Sequence, residues 1–280
     1  MILFFLMALT GFEYLLVDPV AERVGMGYAL CGDGHNIHYN PAGLILNTSA
    51  SYSISYLNYI GGTHFGYLDY ESQLLGVGIR YFYSGKIKKT DPTGQELGDF
   101  STNFIDLNIG KGFAMNNIMF GASGKIVYEL IDTLYSLGVG TDIGALYFLS
   151  QENIQLGFAM KNIGTSVKPF INERELFPYE FNLGAIRRFN SGWLGIDIVR
   201  PALMNFGIRV GCEYELNQFF SLRASYNSLL SQIKTDSGLD FFAGMTLGFA
   251  VKKGQIQINY SYTPYFTLGQ AHRLTIRIGG

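Results

Sequence analysis

The sequence predicts a closed antiparallel β-barrel that crosses a membrane with its strands. Apolar and polar residues alternate along about fourteen segments, and the connections between these segments alternate between short and long. The 280 residues contain no apolar run of the ~18 residues that a transmembrane helix needs. The chain is 15% aromatic and 15% charged, which excludes a disordered protein, and its net charge of −2 argues against nucleic-acid binding.

The alternation is clearest in the segment 205–215. Side chains of a β-strand point alternately to opposite faces, so this segment has one apolar face and one polar, glycine-rich face. The apolar set is Phe206, Ile208, Val210, Cys212 and Tyr214. A soluble sandwich also shows such a pattern, but its repetition along the chain without a long helix favours a barrel.

Most of the candidate strands have close to the ~9–11 residues that a tilted strand needs to span a bilayer. Their even number is typical of bacterial outer-membrane barrels. We expect them at approximately 50–59, 62–70, 73–83, 101–111, 117–128, 136–149, 153–163, 179–189, 193–200, 204–216, 219–227, 240–251, 255–263 and 270–279.

The connections give a second, independent indication. Tight turns are expected at 70–73, 149–153, 189–193, 216–219 and 251–255, and long loops at 83–101, 163–179 and 227–240. Outer-membrane barrels have short periplasmic turns and longer extracellular loops. With the N-terminus on the periplasmic side, the sequence therefore predicts a multi-pass protein of the bacterial outer membrane.

Charged residues fall on the polar set of the candidate strands. A midplane Arg or Lys that faces lipid costs ~2–4 kcal/mol, so we expect these side chains to face the lumen. The seven bases and five acids nearly balance, which favours a partly filled interior over an ion-selective pore. They are Arg80, Asp106, Lys125, Asp142, Lys161, Glu180, Asp197, Arg209, Glu213, Arg223, Arg273 and Arg277.

Three regions follow from the pattern. Residues 1–17 form a possible partial signal or N-terminal lead, since Met1–Leu9 is short and apolar. Residues 18–47 break the strand pattern and have the size of a hatch that folds into the lumen. Residues 48–280 form the barrel. The predicted hatch motif comprises Gly25, Met26, Gly27, Asn40, Pro41, Ala42, Gly43 and Leu44.

Several of these stretches resemble the PorV/PorQ family of outer-membrane proteins, which are relatives of the FadL long-chain fatty-acid transporters. The similar stretches are 12–16, 21–29, 40–44, 56–58, 85–87 with 90–91, and 124–129 with 142–145. The resemblance implies a fourteen-stranded barrel and one of two roles. PorV-type proteins serve type IX protein secretion, and FadL-type proteins pass hydrophobic solutes through a hatch and a lateral wall opening.

Two functions therefore remain open. In the first, the protein is a secretion component that binds exported proteins or another membrane subunit through its long loops. In the second, it is a passive transporter of hydrophobic small molecules, including fatty acids. Outer-membrane lipid is the other expected partner, and bound lipid or detergent is a further candidate ligand. Candidate docking residues for either ligand class are Val167, Phe170, Ile171, Leu176 and Phe177.

We expect no enzyme, no cofactor and no metal site. His35 and His38 lie near Cys31 and Asp33, but no second cluster completes a metal site, and a locally hydrogen-bonded polar turn is the favoured interpretation. No serine of the candidate strands has a histidine predicted beside it, as a hydrolase would need.

Overall fold

The computed structural model describes residues 12–23, 34–73, 75–149, 151–202, 204–232 and 242–279. Within these ranges, fourteen antiparallel strands close into a barrel. The strand that follows the N-terminal region pairs with the last strand of the chain, so the sheet has no free edge. The predicted fold class is thereby confirmed.

The strands follow the chain order around the barrel, with one two-stranded hairpin outside it. The hairpin consists of β4 and β5. The strands are β1 (Ser51–Asn58), β2 (His64–Glu71), β3 (Gly76–Tyr83), β4 (Ile87–Thr90), β5 (Glu96–Phe100), β6 (Thr102–Met115), β7 (Ile118–Ile131), β8 (Leu134–Leu149), β9 (Ile154–Lys168), β10 (Glu180–Phe189), β11 (Gly192–Pro201), β12 (Gly207–Asn217), β13 (Phe220–Asn227), β14 (Met245–Lys253), β15 (Ile256–Pro264) and β16 (Gln270–Gly279).

Short helical turns accompany the strands. The α-helical turn α1 spans Asn36–Tyr39, and 3₁₀ turns lie at Glu13–Leu16, Pro41–Leu46, Ile60–Gly62, Leu230–Gln232 and Phe266–Leu268. In the described part of the chain, no helix combines the length and the apolar character that a membrane crossing requires. Residues 20–23 form no helix, and Gly25, Met26, Gly27 and Cys31 lie outside the described residues.

The described residues of three long connections, 84–101, 169–179 and 228–232 with 242–244, lie at one rim of the barrel, opposite the rim where β1 begins. We call this the loop rim. Two local features differ from expectation. The first long loop carries the β4–β5 hairpin, which is attached to the barrel by the Lys89–Asp132 ion pair at 2.5 Å. A tight turn, Asp132-Thr133, also lies at the loop rim, because β7 and β8 extend further than the sequence pattern indicated.

The two faces of the wall have opposite character. Along β1, buried serines alternate with exposed apolar or aromatic side chains, beginning with Ser51 and Tyr52. The same alternation leaves Ile79, Ile105 and Ile196 exposed on other strands. A closed barrel with an apolar outer wall satisfies its backbone polar groups internally and presents hydrocarbon to lipid. The strands therefore cross the membrane.

Candidate functional site

Residues 12–23 and 34–47, which we call the inner segment, lie inside the barrel. Within them, the Ala21 N–H donates to the Thr275 hydroxyl of β16 at 2.9 Å. The Asn40 side chain donates to the Phe158 carbonyl of β9 at 2.9 Å. Because β16 and β9 lie far apart around the ring, one short segment can contact both only from within the lumen.

The Asn40-Pro41-Ala42-Gly43-Leu44 stretch packs on a part of the wall that is built from glycine. A Cβ atom at Gly121 would overlap the Pro41 carbonyl, and one at Gly144 would overlap the Asn40 amide oxygen. Gly76 and Gly112 make similar close approaches to Leu44 and to the Pro41 carbonyl. Glycine allows backbone to approach this closely because it has no Cβ. Asn40 also accepts from the Ala42 N–H at 3.1 Å, which starts the 3₁₀ turn.

Glu71 of β2 holds the turn α1 against the wall. Its buried carboxylate accepts from the Ile37 N–H at 2.7 Å and from the Asn36 side-chain amide at 2.9 Å. The Asn47 amide adds a longer contact of 3.4 Å. One strand side chain thus satisfies a backbone donor and two side-chain donors of the inner segment.

The histidines have partners far away in sequence. His35 lies between the Asp69 carboxylate of β2, at 2.5 Å from its Nδ1 atom, and the Glu22 carboxylate, at 2.9 Å from its Nε2 atom. His38 approaches Asp18 at 3.3 Å. The expected locally bonded turn is therefore wrong for these residues. Among the described residues there is no group of metal-ligand side chains close enough to hold an ion, and Cys31 and Asp33 lie outside the description.

The charged residues that the sequence pattern assigned to the lumen are buried or half-buried. Lys125 pairs with Asp142 of the neighbouring strand β8 at 3.1 Å. Arg209 of β12 reaches across β11 to Glu180 of β10 at 2.9 Å. Arg223 pairs with Glu213. These contacts join inward-facing groups of adjacent strands or of strands one further apart, so they reinforce the wall as well as filling the lumen.

Other predicted lumen residues bind the inner segment. Arg80 donates to the carbonyls of Tyr14, Leu15 and Val17 at 3.0–3.3 Å, and it lies 3.8 Å from Asp106. In the same way, Arg273 donates to the Asp18 carbonyl at 2.8 Å, and Arg277 lies 3.6 Å from Glu22. The Lys161 ammonium lies 5.9 Å from the centre of the Tyr39 ring, and Asp197 is buried opposite Arg209.

Beneath the loop rim, the inner wall changes from polar to aromatic. Leu57, Phe65, Phe82 and Phe104 are paired in register on β1, β2, β3 and β6 and form one inward-facing row. Their side chains belong to one buried apolar cluster with Val127, Phe177, Tyr265 and Ala271. We call this region the aromatic chamber. Its register shows that the four wall strands present apolar groups at one depth.

The inner segment occupies the aromatic chamber with its first residues. The Phe12 ring lies 4.5 Å from that of Phe177, and the Tyr14 ring lies 4.8 Å from that of Phe104. Leu15 is buried in the same cluster. The chamber is therefore filled by residues of this chain that are held by hydrogen bonds to Arg80 rather than by strand pairing.

Glu129 was missed by the sequence pattern, which ended its strand at residue 128. In the structure β7 continues to Ile131, and Glu129 is 0% exposed next to Phe104. Neither carboxylate oxygen has a hydrogen-bond partner among the described residues. The signal was present, since Lys125, Val127 and Glu129 continue one alternating set.

The five candidate docking residues divide between the surface and the chamber. Ile171 is 78% exposed, Val167 and Leu176 are exposed, and Phe170 is half-buried. Phe177 is 1% exposed and packs on Phe12, so it cannot belong to an outer docking surface. In the same loop, burial and then the Glu13 carboxylate raise the pKa of Glu175. This loop therefore covers the chamber with one aromatic side chain and presents its other apolar groups outward.

A polar cavity of about 300 Å³ lies at the opposite rim. It is lined by charged groups that include Arg188, Glu213, Lys252 and Arg277, and by Glu22 of the inner segment. The lumen is therefore aromatic near the loop rim and charged near the opposite rim, where β1 begins, and the inner segment lies between these two regions.

No known family profile matches the sequence, and no curated protein is recognisably similar to it. Solved structures share its fold. A FadL homologue from Pseudomonas aeruginosa has a TM-score of 0.58 at 12% identity, covering 92% of this chain and 98% of that one. The toluene transporter TodX of Pseudomonas putida has 0.57 at 15%, covering 92% and 96%, and the toluene transporter TbuX of Ralstonia pickettii has 0.57 at 12%, covering 94% and 97%.

At these identities the similarity is one of fold. The barrel has a FadL-like fold, and to that extent the coarser part of the predicted resemblance is confirmed. The three neighbours give no support to the more specific PorV/PorQ resemblance, because two of them are described as toluene transporters and one as a FadL homologue.

Proposed function

We propose that this protein is a passive transporter of hydrophobic small molecules across the outer membrane. The observation that carries the proposal is the aromatic chamber beneath the loop rim. An inward-facing row of aromatic side chains is not needed for membrane insertion, because the outer wall supplies the apolar surface that lipid contacts. Its chemistry suits an apolar ligand, which gains free energy by leaving water for such a site.

The inner segment acts as the hatch in this proposal. Phe12, Tyr14 and Leu15 fill the chamber with side chains of the same chemistry as the proposed ligand. A ligand therefore competes with them for the same apolar wall, and its binding shifts the hatch toward an undocked state. The polar lower part, held by Glu71 and by the glycine-lined wall, closes the lumen in the ligand-free state.

The fold comparisons also support a transport function. TodX and TbuX are described as toluene transporters, and both cover more than 90% of this chain. Transport of an apolar molecule is also the role that the aromatic chamber of this chain would suit. The secretion role has less support, because Phe177 lies inside and only part of the expected docking surface is exposed. No observation on the described residues favours a bound exported protein.

Uptake by whole cells tests the proposal, because the outer membrane is the barrier that the protein would breach. Initial uptake of labelled naphthalene is compared in cells with and without the protein. We expect faster uptake with the wild-type protein. We also expect Phe104→Asn to weaken naphthalene binding to the purified barrel about tenfold, since it removes an aromatic partner from the chamber.

A matched control lies on the same strand. Phe113 is on the outer face of β6 and 55% exposed, so Phe113→Asn makes the same chemical change outside the lumen. It is expected to leave naphthalene binding unchanged. Uptake no faster than in cells without the protein, or equal binding losses for the two variants, would contradict the transport proposal.

A further inference from the structure

The aromatic chamber contains polar groups that have no hydrogen-bond partner among the described residues. Both oxygens of Glu129 and the hydroxyls of Ser136 and Tyr14 are buried and have no hydrogen-bond partner among the described residues. Glu129 and Ser136 are paired in register on β7 and β8. Buried polar groups are nearly always hydrogen-bonded, so several unpartnered ones at one place need an explanation.

No donor among the described residues forms a hydrogen bond with Glu129, and this includes the Ser136 hydroxyl opposite it. Its neighbours on the inward face of β7 are Val127 and Ile131, and its register partner on β6 is Phe104. A carboxyl group in such apolar surroundings is unfavourable for folding, because burial removes its water without replacing the lost hydrogen bonds. A structural role in stabilising the barrel therefore does not account for this residue.

Other carboxylates lie close to it. Glu13 of the inner segment and Glu175 of the loop 169–179 both interact electrostatically with Glu129. One oxygen of Glu175 is also buried without a partner. The chamber is thus apolar along its aromatic row and acidic at one end of that row.

Resting on the proposed transport function, we infer that the preferred ligand is an apolar molecule that carries a hydrogen-bond donor, above all an amine. Its apolar body lies along the aromatic row after Phe12 and Tyr14 leave, and its donor satisfies Glu129 and Ser136. An ammonium group is favoured most, because a charge-assisted hydrogen bond to a carboxylate is stronger than a neutral one. A carboxylate ligand is disfavoured by repulsion from the three acids.

One group opposes this preference. Arg80 would lose its three carbonyl partners if the inner segment left, and a free guanidinium would attract a carboxylate. However, Asp106 lies 3.8 Å from Arg80 and remains in the wall to balance its charge. The structure therefore predicts preference for an amine, and preference for a carboxylate is the outcome that would assign recognition to Arg80 instead.

Four probes with one apolar skeleton separate these possibilities: naphthalene, 1-naphthalenemethanol, 1-naphthalenemethylamine and 1-naphthoate. Binding to the detergent-solubilised full chain is measured by equilibrium dialysis, and the binding to empty micelles is subtracted. We expect the amine to bind about tenfold more tightly than naphthalene, the alcohol to lie between them, and naphthoate to bind most weakly.

Glu129→Gln keeps the shape of the side chain and replaces a carboxyl group, which can form an ion pair with an ammonium group, by an amide, which cannot. In this variant the affinity for the amine is expected to come within about threefold of the affinity for naphthalene measured on the same variant. Glu152→Gln is the matched control, because Glu152 is exposed at the opposite rim. It should leave all four affinities as in the wild type.

The possible failures are distinguishable. If none of the probes binds, the transport function and the inference both fail. If naphthalene binds and is weakened by Phe104→Asn, but the amine has no advantage or keeps it in Glu129→Gln, the transport function stands and the inference is wrong. Tighter binding of naphthoate than of the amine also overturns it. A folding defect would lower the binding of naphthalene too, and so would not be mistaken for lost amine selectivity.

Discussion

Removal of the Glu71 carboxylate should release the turn α1 from the barrel wall. Glu71→Ala deletes an acceptor that receives the Ile37 N–H at 2.7 Å and the Asn36 amide at 2.9 Å. A hydrogen bond to a charged group contributes about 1.5–3 kcal/mol, so the two short bonds together stabilise the docked turn by about 3–6 kcal/mol. The 3.4 Å contact with Asn47 adds little.

Hydrogen exchange measures this loss directly. Since each 1.4 kcal/mol changes an equilibrium constant tenfold, backbone amides of residues 36–47 should exchange roughly 10²–10⁴ times faster in Glu71→Ala. Peptides from β7 serve as the internal standard for an intact barrel. The uptake rate of an apolar solute should rise in parallel, because a loosened hatch leaves the lumen more often.

The matched variant is Glu96→Ala, which removes an exposed carboxylate paired with Lys88 in the β4–β5 hairpin. An exposed ion pair contributes ~0–1 kcal/mol, so this variant should not alter exchange in the inner segment. Unchanged protection of residues 36–47 in Glu71→Ala, with β7 still protected, would refute the assignment of Glu71 as the anchor of the turn.

Three further substitutions test the remaining parts of the structure. Gly121→Val should displace the Pro41 stretch and increase ion conductance in planar bilayers, whereas Gly124→Val on the same strand meets open space and should behave as the wild type. Ile196→Arg places a charge on the outer wall and should reduce folding stability in liposomes by ~2–4 kcal/mol, measured by urea titration, whereas Ile196→Phe should be neutral. Lys125→Met removes the ammonium group that pairs with Asp142 at 3.1 Å and should lower folding stability by about 3–5 kcal/mol. Asp142→Leu in the same chain should recover most of that loss. A double variant no more stable than Lys125→Met would argue that the ion pair does not stabilise the barrel.

Much of the barrel could be predicted because strand periodicity is a local property. Two successive residues point to opposite faces whatever the rest of the chain does, so the outward exposure of Ile79 and Ile196 and the burial of Arg80 follow from the alternation. The alternation of short and long connections then indicated which connections lie at the same rim. The errors fell at strand ends, where β7 and β8 extend to a two-residue turn and bring Glu129 into the lumen.

The interior contacts could not be predicted in the same way. His35 meets Asp69 and Glu22, and Glu22 in turn accepts from Asn259 at 2.6 Å. These partners are separated by tens to hundreds of positions, and only closure of the barrel brings them together. A histidine next to other polar residues therefore suggested a local turn, although its charge is balanced by residues from other elements.

The aromatic row was hidden for a related reason. Phe65, Phe82 and Phe104 each occur singly on separate strands, where aromatic residues are common in any β-structure. Their shared depth depends on the pairing register, which the sequence does not state. Once the register is known, the same residues form one continuous inner surface.

The inner wall therefore divides into two parts that make different demands on the segment lying against them. The polar part fits one partner. Gly121 leaves room for the backbone at Pro41, Gly144 leaves room for the Asn40 side chain, and Glu71 accepts from the donors of α1. The aromatic part contacts the rings of Phe12 and Tyr14 through apolar surface, and Arg80 adds hydrogen bonds to backbone carbonyls of the same stretch. Apolar contacts are non-directional and are readily replaced by another apolar molecule, whereas the hydrogen bonds of Glu71 are not.

A hydrophobic ligand should thus displace residues 12–16 first while residues 36–47 remain docked. Hydrogen exchange of residues 12–16 alone should then increase with ligand concentration. Equal and simultaneous loss of protection in both groups would instead mean that the inner segment leaves as one unit.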